Sequence, residues 1–141
     1  MTELDLYHPL ITGRNKEPWF FTREQQGRLI KAYNPVCGDE YDIAIEFDLN
    51  DIRKITFSGY GCAVSKAALD MLIERLQHHK FVDIISEIEY YLQVIEMDQP
   101  PPLEAYPLSV FQKVKYHTAR KECATLGANS LLSFLKELNR T

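Results

Sequence analysis

The stretch NPVCGDEYDIAIEFD, Asn34 to Asp48, begins as a turn and finishes as a strand. Asn34, Pro35 and Gly38 are chain-reversal residues. Tyr41, Ile43, Ile45 and Phe47 then alternate with polar or small neighbours, the period of a half-buried strand. Upstream, Gly27 to Asn34 (GRLIKAYN) reads as a first strand, which makes Tyr41 to Asp48 the second. Leu49 to Asp51 supplies a further tight turn, and Ile52 to Ser58 a third strand with Ile55 and Phe57 on one face. Connections this short imply antiparallel pairing.

Downstream the period changes to that of helices. After SGYGC, the residues Val64, Ala67, Ala68, Met71, Leu72 and Leu76 recur at helical spacing. Phe81, Ile84, Ile85, Ile88, Leu92 and Ile95 form a second stripe. A last helix is predicted from about Thr118 to Leu138, with Ala119, Cys123, Leu126, Ser130, Leu131, Phe134 and Leu138 facing inward. Between the last two lies MDQPPPLEAYP, where Pro100, Pro101, Pro102 and Pro107 forbid helix and force an extended connection. Residues 1–26 read as irregular, with room for one short helix near the start. The expected fold is α+β: one domain over 1–141, a three-stranded antiparallel sheet with helices packed on one face.

At 141 residues, 45% hydrophobic and 26% charged, the chain has the composition of a folded domain with a real core. Its net charge of −4 argues against a general binder of nucleic acid or acidic membrane, which meets phosphate with a basic excess. The first ten residues carry no signal-peptide pattern, and no apolar run approaches the about 20 residues of a membrane helix. A cytoplasmic location is expected. In that compartment Cys37, Cys62 and Cys123 are not expected to form disulfides, and no C-x-x-C occurs.

Each cysteine has a distinct setting. Cys37 lies in the turn before a strand, with Asp39 two residues on. Cys62 follows SGYG and precedes a helix, whose free N–H groups and dipole favour a thiolate. Cys123 lies on a helical stripe with Arg120 one turn earlier, so a guanidinium can sit beside the sulfur. A bland reading stands beside each: Cys123 as a core residue, Asp39 as an Asx-turn residue bonding its own backbone. His78 and His79 fall at a helix end, His117 stands six residues before Cys123, and His8 lies in the irregular segment; none has metal-motif spacing.

Three blocks together carry a resemblance. NPVCGDEYDIAIEFD, ITFSGYGCAVSKAALDMLIE and ARKECATLGANSLLSFL are similar to the signature blocks of the NifU N-terminal, or IscU-like, iron–sulfur assembly family. They are most similar to its SufU branch, with N-P-x-C-G-D, then G-C-x-x-S-x-A, then A-R-x-x-C-A-T-L. The long interval between Cys62 and Cys123 resembles the SufU insertion. The sequence departs from the family at Glu122, where IscU has histidine and SufU lysine, and at Thr118, where the family has proline.

The resemblance implies that Cys37, Asp39, Cys62 and Cys123 surround one metal centre, holding zinc or a transient [2Fe-2S] cluster. Three thiolates and a carboxylate suit either. An occupant of about 2+ core charge would leave roughly −2 on the centre, which Arg120 is placed to offset. The implied function is acceptance of persulfide sulfur from a cysteine desulfurase, with Cys37 as acceptor and delivery to an apo iron–sulfur client or other assembly proteins. One alternative is an IscU-like scaffold on which the cluster is built. Another is an interaction module with structural zinc, against which the oxygen ligand argues. A cysteine hydrolase with Cys62 as nucleophile and His117 as base would leave Cys37, Asp39 and Cys123 without a role.

Overall fold

The computed structural model describes residues 8–49, 51–77 and 79–139. Asn50, in the expected Leu49–Asp51 turn, and His78 lie outside the described residues. Helix α1 (Pro9–Lys16) precedes strands β1 (Arg28–Asn34), β2 (Asp39–Asp48) and β3 (Asp51–Tyr60). Helices α2 (Ala63–Leu76) and α3 (Phe81–Glu96) follow, then a 3-10 segment (Pro107–Tyr116) and α4 (Thr118–Asn139). The sheet is antiparallel in the order β1-β2-β3, as the short turns require.

Alternation along β2 places Tyr41, Ile43 and Ile45 in the core opposite Ile55 and Phe57 of β3. Phe47 breaks the pattern and is partly exposed. A register shift between Glu46 and Phe47 pairs Phe47 with Ile52, and Ile52 takes the buried place instead. The far edge of β3 is extended by segment 20–22: Phe57 N–H donates to Phe20 C=O at 3.1 Å and Thr22 N–H to Phe57 C=O at 2.9 Å. Phe21 meets Phe57 edge-on, with centroids 5.4 Å apart.

The stripe predicted on α2 is buried throughout. On α3, Ile84, Ile88 and Ile95 are buried as expected, with Tyr91 and Val94 beside them. Tyr91 donates its hydroxyl to Ala124 C=O of α4 at 2.7 Å, joining the two helices inside the core.

Two readings of the sequence need correction, and one is filled in: the short helix allowed near the start is α1, at 9–16. Gly13 and Asn15 hide it from propensity; His8 caps it by accepting the Leu10 N–H, Pro9 starts it, and burial of Ile11 and Arg14 against α2 holds it. Pro107 does not exclude helix but opens the 3-10 segment, because a first helical residue needs no N–H partner. On α4, Ala119 is exposed, and Leu126, Ser130, Phe134 and Leu138 are only half-buried. Its deepest face is Cys123, Ala124, Gly127, Ala128, Leu131 and Leu135. The small residues let α4 approach α2 closely: a Cβ on Gly127 would stand 2.5 Å from Leu69 Cδ1.

Candidate metal centre

The β1–β2 connection is a loop closed by its own first residue. Asn34 C=O accepts the Gly38 N–H at 2.7 Å, and Asn34 Oδ1 accepts the Val36 N–H at 3.0 Å. This local network shapes the turn in which Cys37 is exposed and starts β2 at Asp39, which is 2% exposed. Cys62 is the N-cap of α2, and its Sγ accepts the Ser65 N–H at 3.4 Å. Cys123, on the second turn of α4, is buried between that helix and the turn.

These elements converge. One ligand atom from each of Cys37, Asp39 and Cys123 lies within 4.8 Å of the other two. Cys37 Sγ and Cys123 Sγ are 3.8 Å apart. That matches the roughly 3.8 Å edge of a tetrahedron with metal–sulfur bonds of about 2.3 Å. Cys62 Sγ stands outside this set but 4.0 Å from Asp39 Oδ2. The other carboxylate oxygen, Oδ1, accepts the Cys62 N–H at 2.9 Å, leaving Oδ2 directed toward the sulfurs. Three thiols and a carboxylate oxygen in this spacing fit zinc, or the outer positions of a two-iron cluster.

The thiols do not titrate alike. A hydrogen bond from Cys123 lowers the Cys62 pKa to about 5 against the opposing effect of burial, with help from Ser65. The same interaction and burial push the Cys123 thiol up. The Cys62 N-cap position and its bond from the Ser65 N–H both favour the charged sulfur. Arg120, in the first turn of α4, is exposed. Partial burial would lower its pKa, but the charges and hydrogen bonds of Cys62 and Cys123 outweigh this and raise it.

Two of the histidines have other roles. His8 caps α1, and His79 donates its backbone N–H to Leu76 C=O at the end of α2. His117 Nε2 is buried without a hydrogen-bond partner among the described residues, so the Cys62–His117 pair that a hydrolase needs is not formed.

Residues 16–136 match the family of the NifU-like N-terminal domain. The chain belongs to this family. Among NifU-like relatives, the iron–sulfur cluster assembly scaffold protein IscU of Streptococcus pyogenes serotype M1 is 23% identical over 132 residues, 93% of this chain and 83% of that protein. The zinc-dependent sulfurtransferase SufU of Bacillus subtilis (strain 168) is 22% identical over 127 residues, 89% of this chain and 86% of that protein. The crystal structure of a NifU-like N-terminal domain from Brucella abortus superposes with a TM-score of 0.83, covering 100% of this chain and 99% of that one at 10% identity. The NifU-like fold is thus shared along the whole chain, and the α+β architecture expected from the strand and helix periods is the observed one.

Two polar residues at this NifU-like centre carried no role in the sequence. Ser65 lay inside the G-C-x-x-S block as an unremarked helix residue, and Tyr41 counted only as a core-facing strand position. Their shared signal was a hydroxyl at a place where burial favours a purely apolar side chain. Among the described residues, no helix is long and apolar enough to cross a membrane.

Proposed function

We propose that this chain is an iron–sulfur cluster assembly protein that accepts sulfur from a cysteine desulfurase at a zinc-holding centre of Cys37, Asp39, Cys62 and Cys123. The observation that carries the reading is the pairing of an exposed thiol, Cys37, with a buried one, Cys123, at 3.8 Å beside a buried carboxylate. A structural site alone has no need for one of its thiols at the surface. A delivery site does.

The transfer needs no outside oxidant. The Cys37 thiolate attacks the terminal sulfur of the desulfurase persulfide. A new S–S bond forms on Cys37 as the old one breaks, and the desulfurase cysteine leaves as a thiolate. Bound zinc would keep the thiols deprotonated at neutral pH and hold them together. Asp39, an oxygen donor, binds a soft metal less firmly than a fourth thiolate, which favours ligand exchange when the desulfurase docks. Arg120 offsets negative charge on Cys62 and Cys123 while Cys37 leaves and returns. An apo iron–sulfur client or another assembly protein would receive the sulfur.

The relative named as an assembly scaffold supports a second reading, in which a [2Fe-2S] cluster is built across the same ligands. Metal and acid-labile sulfide content of anaerobically purified protein separates the two, with Asp39→Ala as the comparison. One zinc per chain without sulfide, lost on Asp39→Ala, is the result expected of a sulfur acceptor. Iron and sulfide in near-equal amounts, held more firmly in Asp39→Ala, would make the chain a scaffold instead. A folded protein that takes up neither would refute both.

A further inference from the structure

Behind the four ligands lies a polar chain that none of them requires for its own position in sequence. Tyr41 is 1% exposed on the core face of β2, its ring packed edge-on against Phe57 at 5.7 Å between centroids. Its hydroxyl is 2.7 Å from Ser65 Oγ, and both groups are buried. Ser65 Oγ is also 3.1 Å from Cys62 C=O, within donating reach of it. A chain of contacts thus runs from the Tyr41 hydroxyl to Ser65 Oγ, from Ser65 Oγ to Cys62 C=O, and from the Ser65 N–H to Cys62 Sγ.

We propose that Tyr41 is a positioning residue of the metal centre, acting through Ser65 to fix the Cys62 turn and, through the Cys62 N–H, the Asp39 carboxylate. The inference rests on the reading that Cys37, Asp39, Cys62 and Cys123 hold a metal. Three observations join in it. The aromatic ring anchors the chain in the sheet, packed against Phe57 of β3. Ser65 touches Cys62 at two points, sulfur and carbonyl. Gly61 leaves room for the arrangement: a Cβ there would stand 2.3 Å from the Tyr41 hydroxyl oxygen, 2.7 Å from Ser65 Oγ and 2.8 Å from Asp39 Oδ1. The Tyr41 hydroxyl, the serine and the ligand carboxylate therefore crowd one point, and the turn carrying Cys62 is threaded past it.

Core packing alone does not call for this hydroxyl. A phenylalanine would fill the same space against Phe57 with no polar atom to satisfy. The hydroxyl that is present meets Ser65 Oγ at 2.7 Å, beside the turn that carries Cys62. Partners that orient metal ligands in this way are worth about 10–100-fold in metal affinity when removed.

The test uses the full chain with cobalt(II) as the probe metal, read by its ligand-field and sulfur charge-transfer absorption, and zinc affinity by competition with a chelating dye. Tyr41→Phe and Ser65→Ala are each expected to weaken zinc binding about 10-fold and to alter the cobalt spectrum. Both should keep the far-ultraviolet circular dichroism of the wild type. Because both substitutions break one chain, the double variant should be little worse than either single one. A wild-type cobalt spectrum and zinc affinity in Tyr41→Phe would overturn the inference and leave the metal centre standing, as would fully additive losses. If Tyr41→Phe does not fold, an unaltered spectrum in Ser65→Ala overturns it equally. Wild-type protein that binds neither metal would remove the centre itself, and the inference with it.

Discussion

Asp70→Ala is expected to destabilise the protein by about 3–5 kcal/mol, the cost of stranding a buried charge by removing its partner. Asp70 sits on α2 with no exposed surface, and three donors converge on its carboxylate. Arg14 Nε approaches Oδ2 at 2.6 Å and the Trp19 N–H reaches the same oxygen at 3.0 Å, while the Phe20 N–H meets Oδ1 at 2.8 Å. Arg14 also donates to Glu74 Oε1 at 2.7 Å and to Asp70 C=O at 3.3 Å, and its guanidinium lies 3.9 Å over the Trp19 ring. One side chain thus ties α1, segment 19–20 and α2 together. Removing it leaves a largely buried guanidinium with Glu74 as its remaining carboxylate, and two backbone donors without acceptors. Urea unfolding followed by circular dichroism checks this; a loss below about 1 kcal/mol would mean that water or Glu74 replaces Asp70. The substitution should also release segment 20–22 from β3, because Phe20 would lose its anchor.

Cys37→Ala is expected to abolish sulfur acceptance while leaving the fold intact. Cys37 is exposed in a loop whose hydrogen bonds come from Asn34, Val36 and Gly38, so its side chain contributes little to stability, within about 0.5 kcal/mol. Its loss should remove both the one-sulfur mass increase after incubation with a cysteine desulfurase and its substrate cysteine, and any stimulation of that enzyme. Cys123→Ala is the contrasting variant. Cys123 is buried and 3.8 Å from Cys37, so it would loosen the metal without removing the exposed nucleophile. Sulfur acceptance retained in Cys37→Ala and lost in Cys62→Ala would reassign the acceptor to Cys62, whose pKa the Cys123 thiol lowers.

What the sequence by itself determined was everything that depends on short-range chemistry. The strands followed from period-two alternation, the antiparallel order from turns too short for any crossover, and α2 from a stripe of apolar residues at helical spacing. Cys37 and Asp39 are brought together by one glycine and one turn, which is why that half of the site was legible. The Cys62 cap at the start of α2 was legible for the same reason.

Tertiary structure decided what depends on contacts between distant segments. Helix α1 exists despite a weak local preference because Arg14 finds Asp70, 56 residues away. The inward face of α4 is its small residues, since close approach to Leu69 of α2 selects for absence of bulk where periodicity counts bulk. At the proposed metal centre, spacing could not show that Cys62 Sγ stands apart from the three-residue cluster, tethered to Ser65. Nor could it show Tyr41 reaching Ser65 across 24 residues of chain, because a hydrogen bond between a strand and a helix leaves no period in either.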